Sequence, residues 1–173
     1  MVCSAMWFGL DLLRDGSQCQ IMVMALSEYM QIALQEAKAA AARGEVPVGA
    51  VVVDPVTDHI ISRAGNRTLE WKDPSAHAEL LAIREACGKV GSERLPGIDL
   101  YVTLEPCPMC AQVISFARVR RLYFGASDPK GGGVENGPRL FHQPSCHHKP
   151  EVYGGLGEGE AAKILKDFFA VRR

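Results

Sequence analysis

Between residues 27 and 43 (SEYMQIALQEAKAAAAR), apolar side chains recur every three or four positions. Met30, Ala33, Leu34, Ala37 and Ala41 share one face, the spacing of an amphipathic helix. Ser27 suits its N-cap and Gly44 its stop. The period then changes. VPVGAVVVD (46–54) and DHIISRAGN (58–66) are β-branched, apolar runs joined at Asp54-Pro55, which predicts a hairpin. Helical spacing returns over 76–90 (AHAELLAIREACGKV), followed by the strand IDLYVTL (98–104). A helix over about 108–118, a strand RRLYFGA (120–126) and a closing helix over 158–170 complete the pattern. Strands alternating with helices predict an α/β layered sheet with parallel crossovers after the opening hairpin. The stretch 128–150 is a long loop rich in Gly and Pro, and loops of that length in a compact domain are usually functional or mobile.

Composition narrows this picture rather than changing it. A chain of 173 residues with 47% hydrophobic and 23% charged positions suits one soluble domain with one core. No apolar run reaches transmembrane length. Lys+Arg 19 against Asp+Glu 20 gives a net charge of -1, so bulk charge points to no nucleic-acid partner, and any such binding needs a local basic surface. Of six cysteines, Cys3, Cys19, Cys87 and Cys146 are scattered and only Cys107 and Cys110 form a tight pair. That is no disulfide framework, and it favours a reducing, cytoplasmic home. Residues 1–23 lack a basic leader and any clear period. They are expected to be disordered, or to precede a true start at Met22 or Met24, leaving a single domain over 24–173.

The chemistry lies in two short motifs. PSAHAE (74–79) places His77 and Glu79 at one predicted helix start, and EPCPMC (105–110) places Cys107 and Cys110 at another. Pro108 suits the first helical position, which makes Cys107 an N-cap. The two helix starts are expected to face each other from adjacent strand ends, where sites in α/β sheets are usually built. Helix N-termini favour anions, and so thiolates. Residues two apart point to different sides of a helix, so His77 and Glu79 suit one metal ligand and one nearby acid/base better than two ligands. His77, Cys107 and Cys110 make three ligands, and a tetrahedral zinc with three protein ligands keeps one position for water, as catalytic sites do. Glu79 is then placed to move that water's protons.

Blander readings exist for each piece. A lone CxxC can be a redox pair or half of a structural site. Cys146, His147 or His148 could supply a fourth ligand and make the zinc structural. Cys87, inside a predicted helix, reads as an ordinary buried thiol, and His59 and His142 read as exposed.

HAE at 77–79 with PCPMC at 106–110 resembles the signature of the zinc-dependent nucleobase deaminases. From about residue 27 onward the chain is most similar to the bacterial tRNA-specific adenosine deaminases, through EVPVGAVVV (45–53), GNRT (65–68), DPSAHAE (73–79), LYVTLEPCPMCA (100–111), RLYFGASDPKGG (121–132) and DFFAVRR (167–173). The resemblance implies a three-layer α/β/α cytidine deaminase-like fold with a central mixed sheet of about five strands. It also implies hydrolytic conversion of the wobble adenosine of a tRNA anticodon to inosine, in a homodimer with one zinc ion per chain. By the same resemblance, His77, Cys107 and Cys110 match the zinc ligands and Glu79 the proton shuttle. Asn66 matches a polar residue that contacts the target nucleotide, Asp128 falls in the substrate-facing loop, and Phe168 and Phe169 match aromatics beside the anticodon. Phe168 and Phe169 can equally be core packing. Arg118, Arg120, Arg121, Lys130, Arg139, Lys149, Arg172 and Arg173 could anchor RNA, or be ordinary solvated charges. The alternatives are a guanine deaminase, which resembles EPCPMC as well, and a non-catalytic tRNA-binding subunit, which the presence of Glu79 disfavours.

Overall fold

The computed structural model describes residues 16–172, with side chains described from residue 28 onward. The expectation for residues 1–15 lies outside these. Helix α1 runs Gly16–Ala42, so it begins eleven residues before Ser27, and Ser27 is not its cap. Nothing between Ser17 and Ala42 is Gly or Pro, and once a helix is nucleated each further residue adds a backbone bond at little cost.

Strands β1 (Gly49–Asp54) and β2 (His59–Gly65) form the expected antiparallel hairpin. The single turn α2 (Thr68–Trp71) and helix α3 (Ala78–Val90) follow, then β3 (Asp99–Leu104), α4 (Pro108–Phe116) and β4 (Arg121–Ala126). A 3₁₀ turn at Leu140–His142 leads to the short β5 (Glu151–Tyr153), and α5 (Glu158–Ala170) closes the fold. The sheet order is β2-β1-β3-β4-β5. β1 is antiparallel to β2 and β3, while β3, β4 and β5 run parallel. The sheet is therefore mixed and five-stranded. α2 and β5 are too short to carry a periodic signal.

Strand alternation divides the sheet between two helical layers. Ala50, Val52, Leu100, Val102, Leu122 and Phe124 pack against Ala78, Ala82 and Ile83 of α3 and Ala111 and Ile114 of α4. Val51, Val53, Tyr101 and Tyr123 face Met30, Ala33 and Leu34 of α1 and Ala161 of α5. Both faces are covered, which is why β1 and β3 read as continuous apolar runs. Helix α1 lies close enough to the sheet that a Cβ on Gly49 would sit 2.0 Å from the Ala33 carbonyl oxygen. All four tyrosines of the chain, Tyr29, Tyr101, Tyr123 and Tyr153, form one ladder across this face, with ring centroids 5.1, 4.6 and 5.0 Å apart.

One expectation needs correction. The helices that carry the two motifs follow β2 and β3, and these are not neighbours: β1 is inserted between them, antiparallel to both. The crossover from β2 through α3 to β3 is parallel but skips a strand. The start of β1 therefore lies between the two helix starts, with Gly49 opposite Gly65 of β2 and its N–H donating to Thr103 Oγ1 of β3 at 3.1 Å.

Candidate metal centre and active site

His77 is the N-cap of α3 and Cys107 the N-cap of α4, with Pro108 in the first turn. Neither residue makes a side-chain cap hydrogen bond to its helix, so both side chains are left to turn outward. They meet. Cys107 Sγ lies 3.7 Å and Cys110 Sγ 3.5 Å from His77 Nδ1, and the two sulfurs are 3.6 Å apart. Tetrahedral zinc with bonds of ~2.3 Å to sulfur and ~2.05 Å to nitrogen requires edges of about 3.8 Å (S···S) and about 3.6 Å (S···N). The three donors therefore fit one face of that tetrahedron.

The electrostatics of the donors point the same way. A hydrogen bond from Cys110 holds the Cys107 thiol down to about 4, helped by His77, while the same bond and burial push Cys110 far up. Two sulfurs this close cannot both ionise without a cation between them and the imidazole. Among the described residues, these three form the only such donor group. Cys146 and His148 are not part of it. Cys146 Sγ donates to the His148 carbonyl at 3.0 Å beside Ser115, and the His148 ring bonds the Val119 carbonyl at 2.7 Å. Both lie against the C-terminal end of α4, the opposite end from Cys107. His147 is exposed, as are His59 and His142, and Cys87 is only partly buried.

Glu79 is 3% exposed, in the first turn of α3. Burial pushes its carboxyl above the ordinary range, the direction that lets a carboxylic acid hold and release protons near neutrality. It lines a cavity of ≈ 290 Å³ together with His77, Cys107 and Asn66, a volume for a small ring system rather than a chain. Val46, Val48 and Leu104 supply apolar wall, and Asp128 and Gly131 the far rim. Asn66 is 6% exposed. Its Oδ1 accepts the Ala78 N–H at 2.9 Å, which fixes the amide orientation and leaves the Nδ2 donors to the cavity.

Phe168 and Phe169 are not among the residues lining this cavity. Phe168 is 8% exposed, under the guanidinium of Arg172, while Phe169 stands out at 47%. Three of the eight candidate anchoring cations are already engaged: Arg120 grips Asp99 with two bonds of 2.8 and 2.7 Å, Arg121 bonds Glu151 at 2.8 Å, and Arg172 donates to the Phe168 carbonyl at 3.1 Å. Arg173 lies outside the described residues.

Two buried carboxylates went unnoticed in the sequence. Glu45 accepts the Leu69 and Glu70 N–H groups, both at 2.9 Å, and the Thr68 hydroxyl at 3.0 Å. It thereby holds α2 at one rim of the cavity. Glu105 binds the opposite rim. Their only sequence signal is a charged residue set against an apolar strand, too common to single out.

The family described as cytidine and deoxycytidylate deaminase zinc-binding region matches residues 24–126. The tRNA-specific adenosine deaminase of Agrobacterium fabrum is 59% identical over 147 residues, covering 85% of this chain and 95% of that one. A structure solved in a study of A-to-I editing by tRNA:A34 deaminases at the wobble position of transfer RNA is 60% identical, with a TM-score of 0.78 over 80% of this chain and 99% of the other. A guanine deaminase from Nitrosomonas europaea shares the fold at 21% identity, with a TM-score of 0.73 over 98% of this chain and 99% of the other. With His77, Cys107 and Cys110 converging beside a buried glutamate, the chain belongs to the cytidine and deoxycytidylate deaminase family and, within it, to the tRNA-specific adenosine deaminases.

Proposed function

We propose that this protein hydrolyses the wobble adenosine of a tRNA anticodon to inosine, acting in the cytoplasm as a homodimer with one zinc ion per chain. The carrying observation is the convergence of His77, Cys107 and Cys110 beside buried Glu79, in a chain 59% identical to an adenosine-editing relative. The guanine deaminase shares little beyond the fold, at 21% identity.

His77, Cys107 and Cys110 would hold the ion, which supplies Lewis-acid activation of water at neutral pH. Glu79 takes the two protons of the attacking water in turn, and delivers one to the purine ring nitrogen beside the reacting carbon and the other to the 6-amino nitrogen. That nitrogen leaves as ammonia and the water oxygen becomes the inosine carbonyl. Asn66 offers its Nδ2 donors to the base, and Val46, Val48 and Leu104 exclude bulk water around it. The base must leave its stack to enter, which costs a few kcal/mol and less in a single-stranded loop. Asp128 bounds the entrance, and Phe169 is assigned to the flanking RNA, while Phe168, buried under Arg172, packs inside and supports it. Phe169, exposed on α5, suits stacking on a neighbouring base.

The test is ammonia release with metal analysis on one preparation, comparing an anticodon stem-loop bearing adenosine at the wobble position with free guanine and free cytidine. Inosine in the stem-loop alone, with about one zinc per chain, is the expected result. Turnover of free guanine instead would replace the RNA substrate with a free base.

A further inference from the structure

Glu105 takes no part in the proton transfers above, yet it is a charged side chain only 2% exposed. Its Oε1 accepts the backbone N–H groups of Val134, Glu135 and Asn136 at 3.2, 2.8 and 2.9 Å. Its Oε2 accepts from Asp128 N at 3.0 Å, Asn136 Nδ2 at 2.6 Å and Ser127 Oγ at 3.4 Å. Every one of these donors lies in one loop, 127–136, which has no helix or strand of its own. The same loop supplies Asp128 and Gly131 to the cavity rim.

The fit around the carboxylate is tight. A Cβ on Gly132 would lie 2.5 Å from both Cδ and Oε1 of Glu105, so the loop is wrapped directly on that group. Gly133 N–H then donates to the Pro106 carbonyl at 2.8 Å. A buried carboxylate is tolerated only when hydrogen-bonded or paired, and a loop without regular structure needs partners for its amides. Glu105 answers both needs at once, because it satisfies itself with the amides of the cavity wall.

We propose that Glu105 is a positioning residue for substrate: its carboxylate holds the 127–136 loop, and hence Asp128 and Gly131, as a fixed wall against which the RNA nucleotide is received. The inference rests on the function proposed above. Glu105 itself borders the cavity, but both of its carboxylate oxygens are taken up by donors of the loop, so its loss weakens substrate binding more than it slows chemistry.

The test compares wild type with Glu105→Gln and Asn136→Ala. The second variant removes one leg of the clamp from a partly exposed loop residue and leaves the core untouched. Steady-state kinetics on the anticodon stem-loop, zinc content and amide hydrogen exchange over 127–136 are measured together. The expected result for Glu105→Gln is a KM raised about tenfold or more, the size of a lost charge-assisted hydrogen-bond set. It comes with kcat within about twofold, zinc retained and faster exchange in the loop. Asn136→Ala moves KM in the same direction by less, and adding it to Glu105→Gln has little further effect. A fall in kcat and zinc content with unchanged KM would overturn the proposal, because Glu105 would then serve the metal site through Cys107. Faster loop exchange with unchanged KM would overturn it as well. A wild-type protein inert on the stem-loop refutes the RNA reading alone; the same KM comparison on free guanine then decides the role of Glu105.

Discussion

Asn66 Oδ1 accepts the N–H of Ala78 at 2.9 Å, so a cavity residue braces the first turn of the helix that His77 caps. In the proposed function, substrate contact and the placement of His77 would share this one side chain, and two substitutions separate them. Asn66→Asp keeps an acceptor for the helix start, where negative charge is favoured, but removes the Nδ2 donors. It should fold normally, keep its zinc and lose about tenfold or more in kcat/KM, the size of a lost hydrogen bond to substrate. Asn66→Ala should lose the same activity and about 1 kcal/mol of stability, the usual cost of a removed cap. Thermal melting alongside kinetics distinguishes the two.

Glu79 is buried with its carboxyl pushed up. Glu79→Gln preserves its shape and should retain zinc while losing at least ~10²-fold in rate, the low end for a general acid–base group. Near-normal turnover would remove Glu79 from the proton path.

Cys107→Ser and His77→Ala should each lower zinc content and activity together, since each removes one corner of a three-donor face. Full metal occupancy in both, measured by atomic emission, would mean that other residues hold the ion.

The Glu45 carboxyl is 1% exposed. Burial opposes its ionisation, but the N–H groups of Glu70 and Leu69, the Thr68 hydroxyl and Arg43 outweigh it and hold its pKa below the ordinary 4.5. The folded value is depressed, so this stabilisation is complete above about pH 4.5 and is lost as pH falls through the folded value. Melting temperature should therefore drop on acidification below that point. Glu45→Gln should melt lower than wild type at pH 7, by the equivalent of about 1–2 kcal/mol, and the gap should narrow as pH falls. A gap that widens in acid would contradict this account.

Much of this molecule could be read from local pattern. Cys107 was legible because Pro108 behind it marks a helix start, His77 because it opens the amphipathic run 78–90, and CxxC sets two thiols on one turn. Tyr101 and Val102 were placed in a strand because β3 is covered on both faces. What escaped reading depends on distant partners. Glu45 acts on α2 some 24 residues on, and Glu105 on a loop about 30 residues on, and neither spacing has a period. The insertion of β1 between β2 and β3 was missed for the same reason, since strand order is set by which apolar faces close the core. Ser27 failed as a cap because an uninterrupted run of helix formers overrode a local signal.

That inserted strand makes the proposed metal site a check on assembly. His77 and Cys107 follow β2 and β3, and β1 joins those strands through the Gly49–Gly65 and Ala50–Val102 pairings. A slip of β1 by one residue would turn Val51 and Val53 to the wrong layer and carry the two helix starts out of mutual reach. With His77, Cys107 and Cys110 as the proposed zinc ligands, a misregistered chain would be unable to load the ion, and metal occupancy in a purified sample would count correctly threaded molecules, active or not.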